Sequence, residues 1–382
     1  MFFTETRKLS LSNKRFTVTY KIFANEEKAL EVAKDICLEQ TVEFPEEFLP
    51  VGPIKDFIVG RIEKFGQFSP ECYIAEISYA IETVGRELTQ LLNVVFGNIS
   101  IKPNIKVERL SLNEDILEFF KGPRFGIDGL RKYLGIEKRP LLFTALKPMG
   151  LSNFALADLA YKFALAGIDI IKDDHGLSDQ EFCRFEERVV LCAEAVKKVN
   201  KETGLNCIYV PNITAPFHEI KMRAKLAKDA GAGGLLIAPG LVGFDTMRNI
   251  AEDNDIALPI FSHPSFQGSY VLTNSGISHF VMFGQLVRLA GADVTIYPNF
   301  GGRFPFIKDE CKQIVEGAKI PMGNIKPIFP SPAGGMSIEN IPDAIEIYGN
   351  DVIFLIGGGL FRKGPDIMEN CRYFKSLVEK YG

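Results

Sequence analysis

Residues 168–179 read IDIIKDDHGLSD, an apolar run that ends in a lysine, two aspartates and a histidine. Apolar and β-branched positions of this kind form a buried strand, and an unpaired charge there costs on the order of several kcal/mol or more. Something must therefore compensate Lys172, Asp173, Asp174 and His175: a metal ion, a substrate, or a network of salt bridges. Side chains in a strand alternate with period two, so Lys172 and Asp174 face one side and Asp173 the other. Asp174 and His175 fall where the chain begins to turn, so both can reach one ion despite their different parity. A hard divalent cation such as Mg²⁺ prefers oxygen donors, and a lysine offers none unless its amine takes up CO₂ as a carbamate. A plain Lys172–Asp174 ion pair at a strand end is the alternative use of the same residues.

The elements that must position these groups recur along the chain. From residue 140 apolar strands begin at LLFTALK (141), IDIIKDD (168), CIYVPNI (207), GLLIAP (234), LPIFSH (258), ADVTIYP (292), IKPIFPS (325) and DVIFLIG (351), separated by helical segments such as NFALADLAYKFALAG and PFHEIKMRAKLAKDAG. Strands alternating with helices imply a parallel sheet, and this number of repeats implies an α/β fold closed as a (βα)8 TIM barrel. Before it, RFTVTYKIF, IVGRIEKFG, CYIAEISYAI and ISIKPNIKVERLSL alternate as half-buried antiparallel strands, with helical spacing in NEEKALEVAKDICLEQ and TVGRELTQLLNVVFG. The expected organisation is a small N-terminal α+β (ferredoxin-like) domain over 1–120 and a catalytic barrel over 121–382, divided near the Gly-Pro break before FGIDGLRKYLG.

Chemistry in such a barrel gathers at the C-terminal ends of the strands. Those ends carry Lys147, then Lys172 to His175, Asn212, Pro239, His263, Asn299 leading to Gly-Gly-Arg303, Ala333-Gly334-Gly335 and Gly357-Gly358-Gly359. Lysines, a carboxylate cluster, a histidine and glycine-rich turns on one rim outline a site for an anionic substrate and a metal.

The composition excludes several partners. A net charge of −4 with mixed signs leaves no basic stripe for a nucleic-acid backbone, and no stretch approaches a membrane span. The N-terminus lacks the order of a signal peptide, so a cytoplasmic enzyme is expected. Seven cysteines without any CxxC pattern read as buried thiols, neither disulfides nor a zinc site. His218, on the third barrel helix, reads as structural, and His279 as a solvent-facing or capping residue. The 31 phenylalanines read as core and interface filling.

FTALKPMGLS, GIDIIKDDHGLSDQ, GISHFVMFGQLVRLAGAD, SPAGGMS and IGGGLF, in this order, resemble the large-chain barrel of ribulose-bisphosphate carboxylase/oxygenase and its form IV relatives, the RuBisCO-like proteins. FGIDGLRKYLG and LEQTVEF extend the likeness into the connector and N-terminal domain. The resemblance implies that Lys147 manages the enolisation proton, that Lys172 is carbamylated by CO₂, and that Lys172, Asp174 and His175 bind Mg²⁺. His175 stands where the carboxylases have glutamate, which opens the site to Mn²⁺ or another divalent ion. It further implies a substrate-facing His263, Arg303 at a substrate position, and a phosphate held by Gly334, Gly335, Gly357 and Gly358; Asn212 is expected at the substrate from its place at a strand end. Glu39 matches a glutamate that reaches the site of a partner subunit, so a homodimer or larger homo-oligomer is expected. The asparagine that accompanies it in the family falls at Val94, beside Asn93.

Departures narrow the expectation. Met149 replaces a lysine, Arg303 replaces the CO₂-handling lysine, and Pro264, Ser278 and Ala333 replace groups that hold a second phosphate. The resemblance then implies metal-dependent enediolate chemistry on a sugar acid or sugar phosphate, without carboxylation of ribulose 1,5-bisphosphate. The KDDHGLSDQ motif looks most like the branch that decarboxylates 3-oxo-isoapionate or its 4-phosphate, or transfers and hydrolyses its carboxyl group. The alternatives are a ketose-phosphate enolase or isomerase of methionine salvage and, in another class, a non-catalytic regulatory or stress-related protein.

Overall fold

A computed structural model describes residues 9–382, which form two compact units. The first runs to Lys121 and includes Gln267–Gln285 and Met322–Ile325; the second comprises Gly122–Phe266, Leu286–Pro321 and Lys326–Gly382.

In the first unit, β1 (Arg15–Ile22), β2 (Arg61–Ser69), β3 (Cys72–Ala80) and β4 (Ile105–Ser111) pair antiparallel in the order β4-β1-β3-β2. With helices Glu26–Glu39 after β1 and Leu88–Phe96 after β3, this is the ferredoxin-like split βαβ arrangement. Alternation fixes the buried face: Phe16, Val18, Tyr20 and Ile22 of β1 are buried while their neighbours are half-buried. A two-residue strand, β10 (Gly276–Ile277), lies parallel to β4 at the sheet edge. It has too few residues to show a period, so sequence reasoning had no signal for it.

The second unit is the barrel. Its strands are β5 (Leu141–Leu146), β6 (Ile170–Asp173), β7 (Ile208–Val210), β8 (Leu235–Ile237), β9 (Ile260–Ser262), β11 (Val294–Pro298), β12 (Phe329–Ala333) and β13 (Ile353–Leu355). They run parallel in two ladders, β13-β5-β6-β7 and β12-β11-β9-β8. Leu236 donates to Pro211 O at 2.9 Å and Ile213 to Leu236 O at 3.0 Å, joining β7 to β8. The Ser331 hydroxyl donates to Ile353 O at 2.9 Å between β12 and β13. All eight repeats read from the sequence are present, the strand after IKP starting later, at Phe329.

The barrel is filled by one inward residue row per strand: Leu141, Phe143, Ile170, Ile208, Val210, Leu236, Phe261, Val294, Ile296, Phe329, Ile353 and Leu355. Helix Gly126–Leu134 belongs to the same core through Ile127, Leu130 and Leu134. Its start is fixed by the buried Asp293 carboxylate, which accepts from the N–H groups of Phe125 at 2.7 Å, Gly126 at 2.8 Å and Ile260 at 2.9 Å. A side chain at Gly126, where φ is +65°, would meet Pro327 O at 2.8 Å. All seven cysteines are free and buried. Among the described residues no helix is long and apolar enough to cross a membrane.

Candidate active site

Strand parity carries the core rows upward into the site. Lys147 lies four positions beyond Phe143, Lys172 and Asp174 two and four beyond Ile170, His263 two beyond Phe261, and Gly357 two beyond Leu355, each continuing a row whose lower members are core residues. The inward side chains thus change from apolar to ionisable within one turn of the pleat.

At the centre, Lys147 Nζ forms an ion pair with Asp174 Oδ1. Lys172 is 2% exposed, and its Nζ donates to Asp173 O at 3.0 Å. Burial lowers its pKa to about 8, against the opposing pull of Asp174 and assisted by the charge of Lys147. For Asp174, burial pushes the carboxyl up, but hydrogen bonds from His175 and Lys147 and the charges of Lys172 and Lys147 outweigh it and hold the group well below the usual carboxylate range. His175 Nδ1 stands 3.4 Å from Asp174 Oδ1, and its half-open ring stacks on that of His263 with centroids 4.6 Å apart and planes 13° apart. Burial, with Lys172 and His175 nearby, holds His263 well below the usual histidine pKa, so that ring is neutral.

A second layer holds this centre in place. Asp173, on the opposite parity, is fully buried and accepts from Arg188 Nε at 3.1 Å, Tyr209 OH at 2.7 Å and the Asn212 N–H at 3.0 Å. Arg188 also donates to Cys183 O at 3.0 Å and Ser178 O at 2.7 Å. Tyr209 and Arg188 are functional supports that sequence reasoning missed; the outward parity of Asp173 was the available signal. Asn212, expected at the substrate, is used differently. Its Nδ2 donates to His175 O at 3.0 Å and Leu177 O at 2.9 Å, and its Oδ1 accepts from Thr214 N–H at 3.2 Å. Both amide donors are thereby committed to fixing the loop that presents His175.

Elsewhere on the rim, Gly334 and Gly335 have φ of +66° and +147°. A Cβ at Gly335 would lie 2.3 Å from Gly302 Cα, and one at Gly302 would lie 2.7 Å from Gly334 O, so the loops after β11 and β12 touch through glycine backbone alone. Gly357 borders the Lys147 side chain, and Gly358 has open space where a Cβ would stand. The exposed Arg303 side chain lies over the Phe304 ring, 5.0 Å from its centroid. Met149, 47% exposed, brings its methyl against Gly176, which also borders Asp174.

Several remaining candidates belong to the first unit or to outer helices. Glu39 ends helix Glu26–Glu39 and accepts from Asn98 Nδ2 at 3.0 Å; Val94 is buried. The Ser278 hydroxyl donates to Glu108 O at 2.9 Å and accepts from Val281 N–H at 3.2 Å, as a cap within the first unit. His279 corrects an expectation: it is 2% exposed, not solvent-facing, because it packs beside Phe283, and burial lowers its pKa to about 4. His218 lies exposed on its helix beside Glu219, without the structural packing expected of it.

Among the described residues no three His, Cys, Asp or Glu side chains converge as a metal site. Asp174 and His175 supply two donors, and the only ionisable neighbour in the same inward row is Lys172. A metal therefore fits here when the Lys172 amine is converted to an oxygen donor, and its buried, easily neutralised state suits that conversion.

Residues 126–303 match the family model for the ribulose bisphosphate carboxylase large chain, catalytic domain. The chain is 37% identical over 365 residues to the 5-methylthioribulose-1-phosphate isomerase of Rhodospirillum rubrum, across 95% of this chain and 96% of that protein. It is 34% identical over 308 residues to the 2,3-diketo-5-methylthiopentyl-1-phosphate enolase of Bacillus cytotoxicus, across 80% of this chain and 74% of that one. Among solved structures it is similar to a Rubisco-like protein from Rhodopseudomonas palustris, with a TM-score of 0.87 and 36% identity over 96% of this chain and 98% of the other.

Proposed function

This chain belongs to the RuBisCO-like (form IV) protein family, and on that premise we propose that it catalyses metal-dependent proton transfer beside the carbonyl of a phosphorylated methylthio-ketose, as an isomerase or enolase. The observation that carries the reading is the convergence at the barrel mouth of Lys147, from the end of β5, with Asp174 and the buried Lys172 of the β6 row. The relatives support this member of the expected alternatives: the names of the isomerase and the enolase both specify methylthio sugar phosphates. No relative's name described above supports decarboxylation of 3-oxo-isoapionate.

Lys172 as a carbamate, Asp174 and His175 would hold a divalent cation, Mg²⁺ or Mn²⁺, which when bound would supply Lewis-acid polarisation of a carbonyl and its neighbouring hydroxyl. The protein does the rest. Lys147 moves the proton at the adjacent carbon, oriented by Asp174, which receives its ammonium between turnovers. The glycine turns at Gly334–Gly335 and Gly357–Gly358 offer backbone N–H groups to one phosphate. Met149, whose methyl borders Gly176, and Pro264, next to His263, are uncharged where a second phosphate would need basic groups, which suits a methylthio arm. His263 faces the substrate oxygens.

The test is to incubate purified protein with 5-methylthioribulose 1-phosphate and with 2,3-diketo-5-methylthiopentyl 1-phosphate in deuterated water. Isomerised or enolised product carrying solvent deuterium, lost on chelation and restored by Mg²⁺ or Mn²⁺, is expected. If neither compound reacts or exchanges while 3-oxo-isoapionate 4-phosphate releases CO₂, the decarboxylase reading replaces this one. Labelled CO₂ entering 3-phosphoglycerate from ribulose 1,5-bisphosphate would overturn both.

A further inference from the structure

We infer that Ser265 is a positioning residue that fixes His263 in the tautomer protonated on Nε2, so that the ring meets the substrate as a neutral hydrogen-bond donor and never as the base. The donor role rests on the enediolate reading above; the tautomer stands on geometry alone. The Ser265 backbone N–H donates to His263 Nδ1 at 3.2 Å, and the Ser265 Oγ lies 2.8 Å from the same nitrogen. A backbone amide can only donate, so Nδ1 must present its lone pair, and a neutral imidazole then carries its hydrogen on Nε2. The hydroxyl, which can rotate, donates to the same acceptor.

Three features hold the ring to this arrangement. The His263 N–H donates to Ile237 O at 2.8 Å, anchoring the residue at the end of β9. Pro264, between the histidine and the serine, has a fixed φ and favours extended backbone before it, which narrows the loop conformations that return the Ser265 N–H to Nδ1. On its face the ring is held by the stack with His175. With Nδ1 occupied from behind, the ring offers the site a single polar atom, the Nε2–H donor. It can stabilise an oxygen as negative charge develops there. It has no free lone pair with which to take a proton, and that work is left to Lys147.

The protein contains four histidines, so ¹⁵N-histidine labelling with long-range ¹H–¹⁵N correlation can resolve each ring, the His263 signals being assigned by their loss in His263→Gln. The expected spectrum of His263 at pH 7.5 is that of the Nε2–H tautomer. A ring protonated at Nδ1, alone or together with Nε2, overturns the inference. In kinetics, His263→Gln, which keeps an N–H donor near Nε2, should retain at least about tenfold more kcat than His263→Asn, which reaches only the Nδ1 position; equal or inverted rates overturn the donor role. Ser265→Ala should lower kcat by about threefold to tenfold at nearly constant KM, with rescue by Ser265→Thr. An unchanged kcat in Ser265→Ala, or no rescue, overturns the positioning role. Should wild-type protein leave methylthio-ketose phosphates untouched, the proposed reaction falls, while the spectra still decide the tautomer.

Discussion

Lys172 is buried with its amine hydrogen-bonded to a backbone carbonyl, and the carboxylate that most favours its charged form, Asp174, is paired to a different lysine. Its charged form is therefore a stability cost. The native pKa of about 8 lies below the usual lysine value of 10.5, so the native state binds fewer protons between those values and stability rises with pH across that window. The penalty, about 3 kcal/mol, is fully present below pH 8 and fades by about pH 10.5. Lys172→Met should thus raise the unfolding free energy at pH 7 by ~1–3 kcal/mol in urea titrations, with the gain shrinking as pH passes 8. The same variant should lose at least ~10²-fold in activity, because a principal electrostatic support is gone. A carbamate can form only on the neutral amine. Preincubation with bicarbonate should therefore activate the wild type more strongly as pH rises through about 8, and a CO₂ response independent of pH would remove the carbamate. The sequence made Lys172, Asp174 and the opposed Asp173 legible because parity is local. It could not reveal the Lys147–Asp174 pairing or the His175–His263 stack, which join β5 to β6 and β6 to β9.

At the scale of elements, apolar runs of the barrel strands were readable because both faces of each are buried, and their ends named most of the rim. What the runs could not show is how two loops meet. Gly302 and Gly335 lie backbone to backbone, and Gly335 has φ of +147°, a conformation that disfavours any side chain. Asn212 illustrates the same limit: its place at a strand end suggested substrate contact, whereas the fold uses its amide to hold the His175 loop. Gly335→Ala should force the loops after β11 and β12 apart at a cost of ~1–3 kcal/mol. If this turn holds the phosphate as proposed, KM for a phosphorylated substrate should rise by about tenfold or more, with a smaller change in kcat. Gly358→Ala, with open space at its Cβ, should leave stability within about 0.5 kcal/mol of wild type while still disturbing phosphate binding. If Gly335→Ala lowers stability without changing KM, the turn is structural and the phosphate lies elsewhere.

For the whole molecule, the open question is whether one chain suffices. In the first unit the large apolar side chains Phe48, Val51, Phe68 and Ile101 are exposed, Val51 to 96% and Ile101 to 85%. Glu39, also in that unit, accepts a hydrogen bond from Asn98. If the protein is a symmetric homodimer in which Glu39 serves the partner's barrel, sedimentation at micromolar concentration should show a dimer, and two inactive variants should rescue each other. Glu39→Gln leaves the barrel of its own chain intact, whereas Lys172→Ala leaves Glu39 intact. Unfolded together and refolded at equal concentration, they form hybrids for about half of the dimers, and each hybrid contains one site with both groups present. Activity should therefore return to about a quarter of wild type, a level neither variant reaches alone. Glu39 acting within its own chain predicts no recovery, because every site would then lack one group or the other. A monomer in sedimentation, or a mixture no more active than its parts, removes the shared site and leaves the barrel to act alone.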